Sequence, residues 1–241
     1  PIDIHEKKEE IQSFALDIGY TLLSDGPITL GAYAEYASLL GKTTNPITGK
    51  QENVGYGIIP LGLSAQLGPA TFNLEFRMMP AGNFEFGYFD RAYEVERATF
   101  QSNSLNQGKI ITKSSKLGMF GKQNGFYSSL DISIGSLFDA GISYQNLNGD
   151  QYNSSIKAFE NATNQSFMAV LELQNSISRI DNASWFYQQR NVPKPFDFKY
   201  SESTIIGYDV GISLGNGMVL TYMFRKTFQD MNGDGDVLDD N

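Results

Sequence analysis

Residues 70–79 read ATFNLEFRMM. Ala70, Phe72, Leu74, Phe76 and Met78 fall on one side of an extended chain, and Thr71, Asn73, Glu75 and Arg77 on the other. Side chains alternate across a strand with period two, so this stretch is a β-strand with one apolar and one polar face. The same rhythm runs through 13–22 (Phe14, Leu16, Ile18, Tyr20), 138–145 (Phe138, Ala140, Ile142, Tyr144), 205–214 (Ile206, Tyr208, Val210, Ile212) and 218–228 (Met218, Leu220, Tyr222, Phe224). Weaker copies lie near 28–40, 54–66, 84–98, 109–120, 126–134 and 165–174. Turn signals separate them at 24–27, 67–69, 80–83, 135–137 and 215–217, while longer polar connections are expected at 41–53, 146–164 and 179–201. The chain is all-β.

Composition removes several classes of function. The net charge of −9 opposes binding to nucleic-acid phosphates. No cysteine is present and His5 is the single histidine, so thiolate chemistry, two-histidine metal sites and Cys-His pairs are absent from one chain. No apolar run is long enough for a membrane helix. No leader pattern opens at Pro1, and the sequence is expected to be a mature chain or a fragment.

The polar face chooses between kinds of β protein. It carries Gly, Ser, Thr, Asn and Ala with single carboxylates, whereas a sheet face open to bulk water usually carries Lys, Arg and Glu. Several runs reach about 9–13 residues, the length that crosses a bilayer at a tilt. Tyr20, Tyr33, Tyr36, Tyr56, Tyr88, Tyr93, Tyr144, Tyr222, Phe224 and Phe228 gather toward strand ends, as aromatic girdles do.

In this rhythm the chain resembles a bacterial outer-membrane β-barrel of porin-like type, over most of residues 11–229 and without a diagnostic motif. The resemblance implies an antiparallel up-and-down transmembrane β-barrel of roughly 12 or more strands. It implies a barrel domain over 1–229, an acidic calcium-type loop or linker over 230–241, the outer-membrane bilayer as partner, and further copies or a surface complex as additional partners. The expected lipid-facing belt is Phe14, Leu16, Ile18, Phe72, Leu74, Phe76, Leu130, Ile132, Ile142, Leu171, Val210, Ile212 and Leu220. The expected pore lining is Asp17, Glu35, Glu75, Arg77, Asp131, Asp139, Glu172, Asp209 and Arg225, whose field would favour small cations or zwitterions unless the groups neutralise one another. Short turns belong to the periplasmic end and long loops to the outer end. That assignment puts residues 1–10 and 230–241 outside, and with the absence of a terminal aromatic residue it leads to the expectation of a portion of a larger barrel.

Local motifs carry less. Asp230, Asn232, Asp234 and Asp236 with Gly235 match the first half of an oxygen-rich calcium loop, but Asn241 stands where a bidentate Glu belongs; the readings are a calcium site or a solvated acidic turn. Asn146, Asn148 and Asp150 form a weaker echo, read as a turn. Gly211-Ile-Ser213-Leu-Gly215 fits G-x-S-x-G but lies in an alternating strand with no histidine near, so it is not read as a nucleophile elbow. Gly41-Lys42-Thr43 lacks the first glycine of a phosphate loop. The Asn-x-Ser/Thr triplets at Asn153, Asn161, Asn164 and Asn182 are read as chance in a loop rich in Asn and Ser. No catalytic residue is assigned. The leading expectation is a non-enzymatic diffusion pore or structural surface protein. The alternative is a soluble, secreted β-sandwich subunit of a calcium-assisted surface layer or fibre.

Overall fold

The computed structural model describes residues 10–91, 93–102, 108–229 and Val237. The strands are β1 (Gln12–Asp25), β2 (Ile28–Leu40), β3 (Lys42–Thr44), β4 (Gln51–Asn53), β5 (Tyr56–Leu67), β6 (Ala70–Met79), β7 (Ala98–Ser102), β8 (Gly108–Thr112), β9 (Phe120–Ile134), β10 (Phe138–Asn153), β11 (Ala158–Leu173), β12 (Ile180–Val192), β13 (Thr204–Gly215) and β14 (Met218–Thr227). Ten of them form one antiparallel sheet in the order β1-β2-β5-β6-β9-β10-β11-β12-β13-β14. The hairpins β3–β4 and β7–β8 stand apart as two-stranded sheets. The sheet is not closed: β1 and β14 are its two free edges among the described residues.

The connections differ at the two ends. At one end the chain turns through 26–27, 68–69, 135–137, 174–179 and 216–217; at the other it runs through 41–55, 80–119, 154–157 and 193–203. Two tight turns share a device: Gly26 (φ 56°) precedes Pro27 and Gly68 (φ 60°) precedes Pro69. A positive φ at the first central position, which glycine adopts freely, followed by proline's fixed φ suits a hairpin turn twisted with its strands. Asn216 (φ 52°) and Gly217 (φ 77°) both take the left-handed conformation of a primed turn.

Several expectations change. The 84–98 and 109–120 stretches, apart from Phe120 at the start of β9, do not join the main sheet; they lie within the 80–119 connection, which holds β7, β8 and two short helices, Tyr93–Glu96 and Lys113–Lys116. The stretches 146–164 and 179–201, expected as loops, largely extend strands. β10 and β11 pair from Phe138–Leu173 to Asn153–Ala158, and β12 occupies 180–192. Polar side chains on both faces of 146–153, and apolar ones on both faces of Trp185-Phe186-Tyr187, hide the alternation there.

Register places the two faces. Along the sheet, Leu63 opposes Leu74, Phe72 opposes Leu130, Leu130 opposes Ile142, Leu171 opposes Trp185, Tyr208 opposes Phe224, and Val210 opposes Tyr222. All the expected belt residues fall on this one face, and most of their side chains stand open: Ile18 is 75% exposed, Leu16 61% and Leu220 57%, while Phe76, Leu130 and Val210 are half-buried. On the opposite face the core gathers, with Leu39, Ile59, Met79 and Leu147 of the strands packed against Phe84, Phe86, Tyr88 and Leu117 of the 80–119 segment.

That packing bends the sheet. Phe86 lies on Gly57 of β5, where an added Cβ would meet its ring at 2.6 Å. The next residue, Gly87, accepts a hydrogen bond from Arg190 of β12 at 3.0 Å. In a flat sheet β5 and β12 would stand about 24 Å apart at ~4.8 Å per strand. Two residues whose Cα atoms are ~3.8 Å apart bridge them only if the sheet curls toward the segment. The polar face is therefore concave, and Phe84, Phe86, Tyr88 and Leu117 of the 80–119 segment lie within it.

Candidate functional site

The site is the concave face with the segment it holds. Glu75 (β6), buried in the face, accepts from the Tyr33 hydroxyl at 2.6 Å and from Arg77 Nε at 2.6 Å. Arg77 also donates to Gln145 Oε1 at 2.7 Å, and its guanidinium lies 3.7 Å from the Tyr127 ring centroid and 4.8 Å from that of Phe86. Aromatic faces attract a cation in this position, so the charge is both paired and stacked. Tyr33 reaches Glu75 because Gly62 leaves room: a Cβ there would meet the ring at 2.4 Å.

A second cluster fastens the inserted segment. Arg190 (β12) lies 2.6 Å from Asp90 and 3.2 Å from Glu85, and Asn191 donates to Glu85 at 3.0 Å. Arg91 pairs with Glu172 of β11. Lys113 reaches Glu96 at 2.5 Å and Asp90 at 3.7 Å. The buried Thr43 hydroxyl of β3 donates to the Ser114 carbonyl at 2.7 Å and accepts from Gly118 N–H at 2.9 Å, tying the 41–55 connection to the same segment.

All the residues expected to line a pore lie on this face. Asp17 and Glu35 oppose each other across β1 and β2. Asp139 and Glu172 oppose each other across β10 and β11, and with Asp131 they line a cavity of about 300 Å³ near the tight-turn end. Arg225 holds Asp209 through two hydrogen bonds, at 2.7 and 2.9 Å, while Ser184 donates to the same carboxylate at 3.1 Å. Arg77 and Arg225 are thus each neutralised by a nearby carboxylate rather than set across an opening from the acids. Asp230, Asn232, Asp234 and Asp236 lie outside the described residues, as does His5. Among the described residues no cluster of three acidic or histidine side chains could hold a metal ion.

Tyr33, Tyr88 and Tyr93, expected in a girdle, face inward instead: Tyr33 on Glu75, and Tyr88 and Tyr93 with the inner core. On the outer face an aromatic group does form. Phe196 packs on Tyr144 and Phe167, and Phe198 on Phe167 and Tyr187. The 193–203 connection is folded back onto that face by Gln165, which donates to the Pro193 carbonyl, and by Gln189, which donates to that of Lys199.

Arg190, Gln145, Gln188, Tyr127 and the segment's Glu85, Phe86 and Asp90 escape the sequence reading. The signal for the inserted core is present as apolar doublets at the loop-side strand ends: Leu39-Leu40, Ile58-Ile59, Met78-Met79 and Ile205-Ile206. A doublet in a strand puts one apolar residue on each face, so something apolar must cover the inner one. Compared with known proteins, the chain matches no family model, no curated protein and no solved structure.

Proposed function

We propose that the chain forms the wall of an outer-membrane β-barrel that acts as a pore for small solutes, its lumen narrowed by the 80–119 segment. The observation that carries this is the outer face: an apolar surface continuous over ten strands, with its large side chains exposed. In water such a surface far exceeds the apolar patches that folded monomers leave open. In a bilayer it is the lipid-facing band, and the strands of β1, β2, β5, β9 to β13 are longer than the ~9–11 residues a tilted crossing needs. Short turns at one end and long connections at the other agree with this orientation. Spanning also demands that every strand be paired, since an open edge in hydrocarbon leaves N–H and C=O groups without partners. In the closed barrel the edges of β1 and β14 therefore join further strands.

Membrane fractionation tests the reading. Release from outer membranes by detergent but not by EDTA or salt, a heat-dependent shift in gel mobility, and solute-dependent swelling of reconstituted liposomes are expected. Release by EDTA alone would replace the pore with a calcium-assisted surface subunit.

A further inference from the structure

The cavity between the concave face and the inserted segment has a volume of about 190 Å³. It is lined by Arg77, Tyr127, Ser143, Ser166, Gln188 and Arg190, with the segment's Phe86 and Gly87 opposite. Gln188 is the unusual member. It is 2% exposed, sits beside Phe186 and across from Ile205, and neither its Nε2 donor nor its Oε1 acceptor has a hydrogen-bond partner among the described residues. A buried amide left unpaired at both ends costs free energy, and a binding site for a polar ligand is a place where that cost is recovered.

The surroundings restrict the ligand. Both guanidiniums at the cavity already have carboxylates, Arg77 with Glu75 and Arg190 with Glu85 and Asp90. A charged ligand would be desolvated without gaining an unpaired counter-charge. The ligand must offer a donor and an acceptor to Gln188 together, and further hydrogen bonds to Ser143 and Ser166 on the neighbouring strands. A hydroxyl does both from one atom. The volume is below the ~300 Å³ at which pockets for drug-sized ligands begin, and far above the ~10–15 Å³ that admits one water. We infer that this cavity is a binding site for a small neutral polyhydroxylated solute, a polyol or a monosaccharide. The inference deepens the pore reading by naming its solute class, and equilibrium binding tests it without any measurement of transport.

The experiment is calorimetric titration of the full chain in detergent micelles with glucose and with sorbitol, beside glucose 6-phosphate and acetamide. Saturable binding of the two neutral polyols is expected, with none of the phosphate ester and weaker binding of the amide. Gln188→Leu should weaken polyol binding at least tenfold while raising the guanidinium midpoint, because two unpaired polar groups leave the interior. Ser143→Leu, which fills the cavity from the adjacent strand, should also abolish binding, and it decides the matter if Gln188→Leu does not fold. No saturable polyol binding by the unaltered chain would mean a cavity holding water only and would overturn the inference. So would binding undiminished in a folded Gln188→Leu or in Ser143→Leu, or glucose 6-phosphate bound as tightly as glucose. Liposome swelling with no polyol binding would overturn this site alone and leave the pore standing.

Discussion

Arg190 and Asp90 lie 100 residues apart in sequence and 2.6 Å apart in space, one on the wall of the trough and the other on the segment lying in it. Both are largely shielded from solvent, and Glu85 shares the same guanidinium at 3.2 Å. Arg190→Met removes the cation and leaves two carboxylates facing each other without it. The cost expected for breaking a shielded pair in this way is about 3–5 kcal/mol. It should appear as faster proteolysis within 85–97 and a higher liposome swelling rate, with strand content by circular dichroism unchanged.

Gly57 makes a complementary test that removes no charge. Its missing side chain is where Phe84 and Phe86 seat, at 2.4 and 2.6 Å from a would-be Cβ. Gly57→Leu should displace these rings and open the lumen while leaving the Arg190 pair chemically intact. Single-channel recording is the measurement, and a larger mean conductance than that of the unaltered chain is the expected result.

Glu75 and Arg77 act as a unit with Tyr33 and Gln145. Arg77→Met leaves a buried carboxylate with the Tyr33 hydroxyl as its hydrogen-bond donor, and should lower stability by about 3 kcal/mol. Adding Glu75→Gln should restore much of the loss, because the uncompensated charge goes with it. Guanidinium midpoints of the two single variants and the double variant give the coupling directly.

Adjacent positions on β6 separate the two faces. Leu74 belongs to the apolar belt, while Asn73 faces inward and donates to the Ser129 hydroxyl at 3.1 Å. Leu74→Arg should cost about 2–4 kcal/mol if that position is near the bilayer midplane, and assembly into the membrane should fall accordingly. Asn73→Arg should assemble far better. Heat-modifiable mobility in membrane extracts is the readout.

Much of the sheet is legible from alternation alone, because a strand with one apolar and one polar face writes its register into the sequence. β2 and β6 end where the pattern ends, at Ile28–Leu40 and Ala70–Met79. The reading fails where both faces of a strand resemble each other. β12 carries Trp185 and Tyr187 outward and Phe186 inward, and from Asn146 to Asn153 both sides carry polar side chains, with Leu147 the one inward aliphatic residue. It fails again at 84–98, where Phe84, Phe86 and Tyr88 alternate as in a strand but bury their rings against the trough instead of pairing with it. Alternation reports burial, and here a folded-in segment supplies the burial that a ladder would. The acids of the inner face are legible as a set. Their partners are not, since Arg190 meets Asp90, and Arg91 meets Glu172, through contacts between parts of the chain that only the curled sheet brings together.

The most direct test of the account is spin labelling along β6, which the absence of native cysteine makes clean. Single cysteines at positions 71 to 76, labelled in reconstituted vesicles, report collision with oxygen, which concentrates in lipid, against a water-soluble nickel complex. The account predicts a period of two, with oxygen access high at 72, 74 and 76 and low at 71, 73 and 75. High nickel access at 72, 74 and 76 would place the apolar face in water and contradict the membrane barrel.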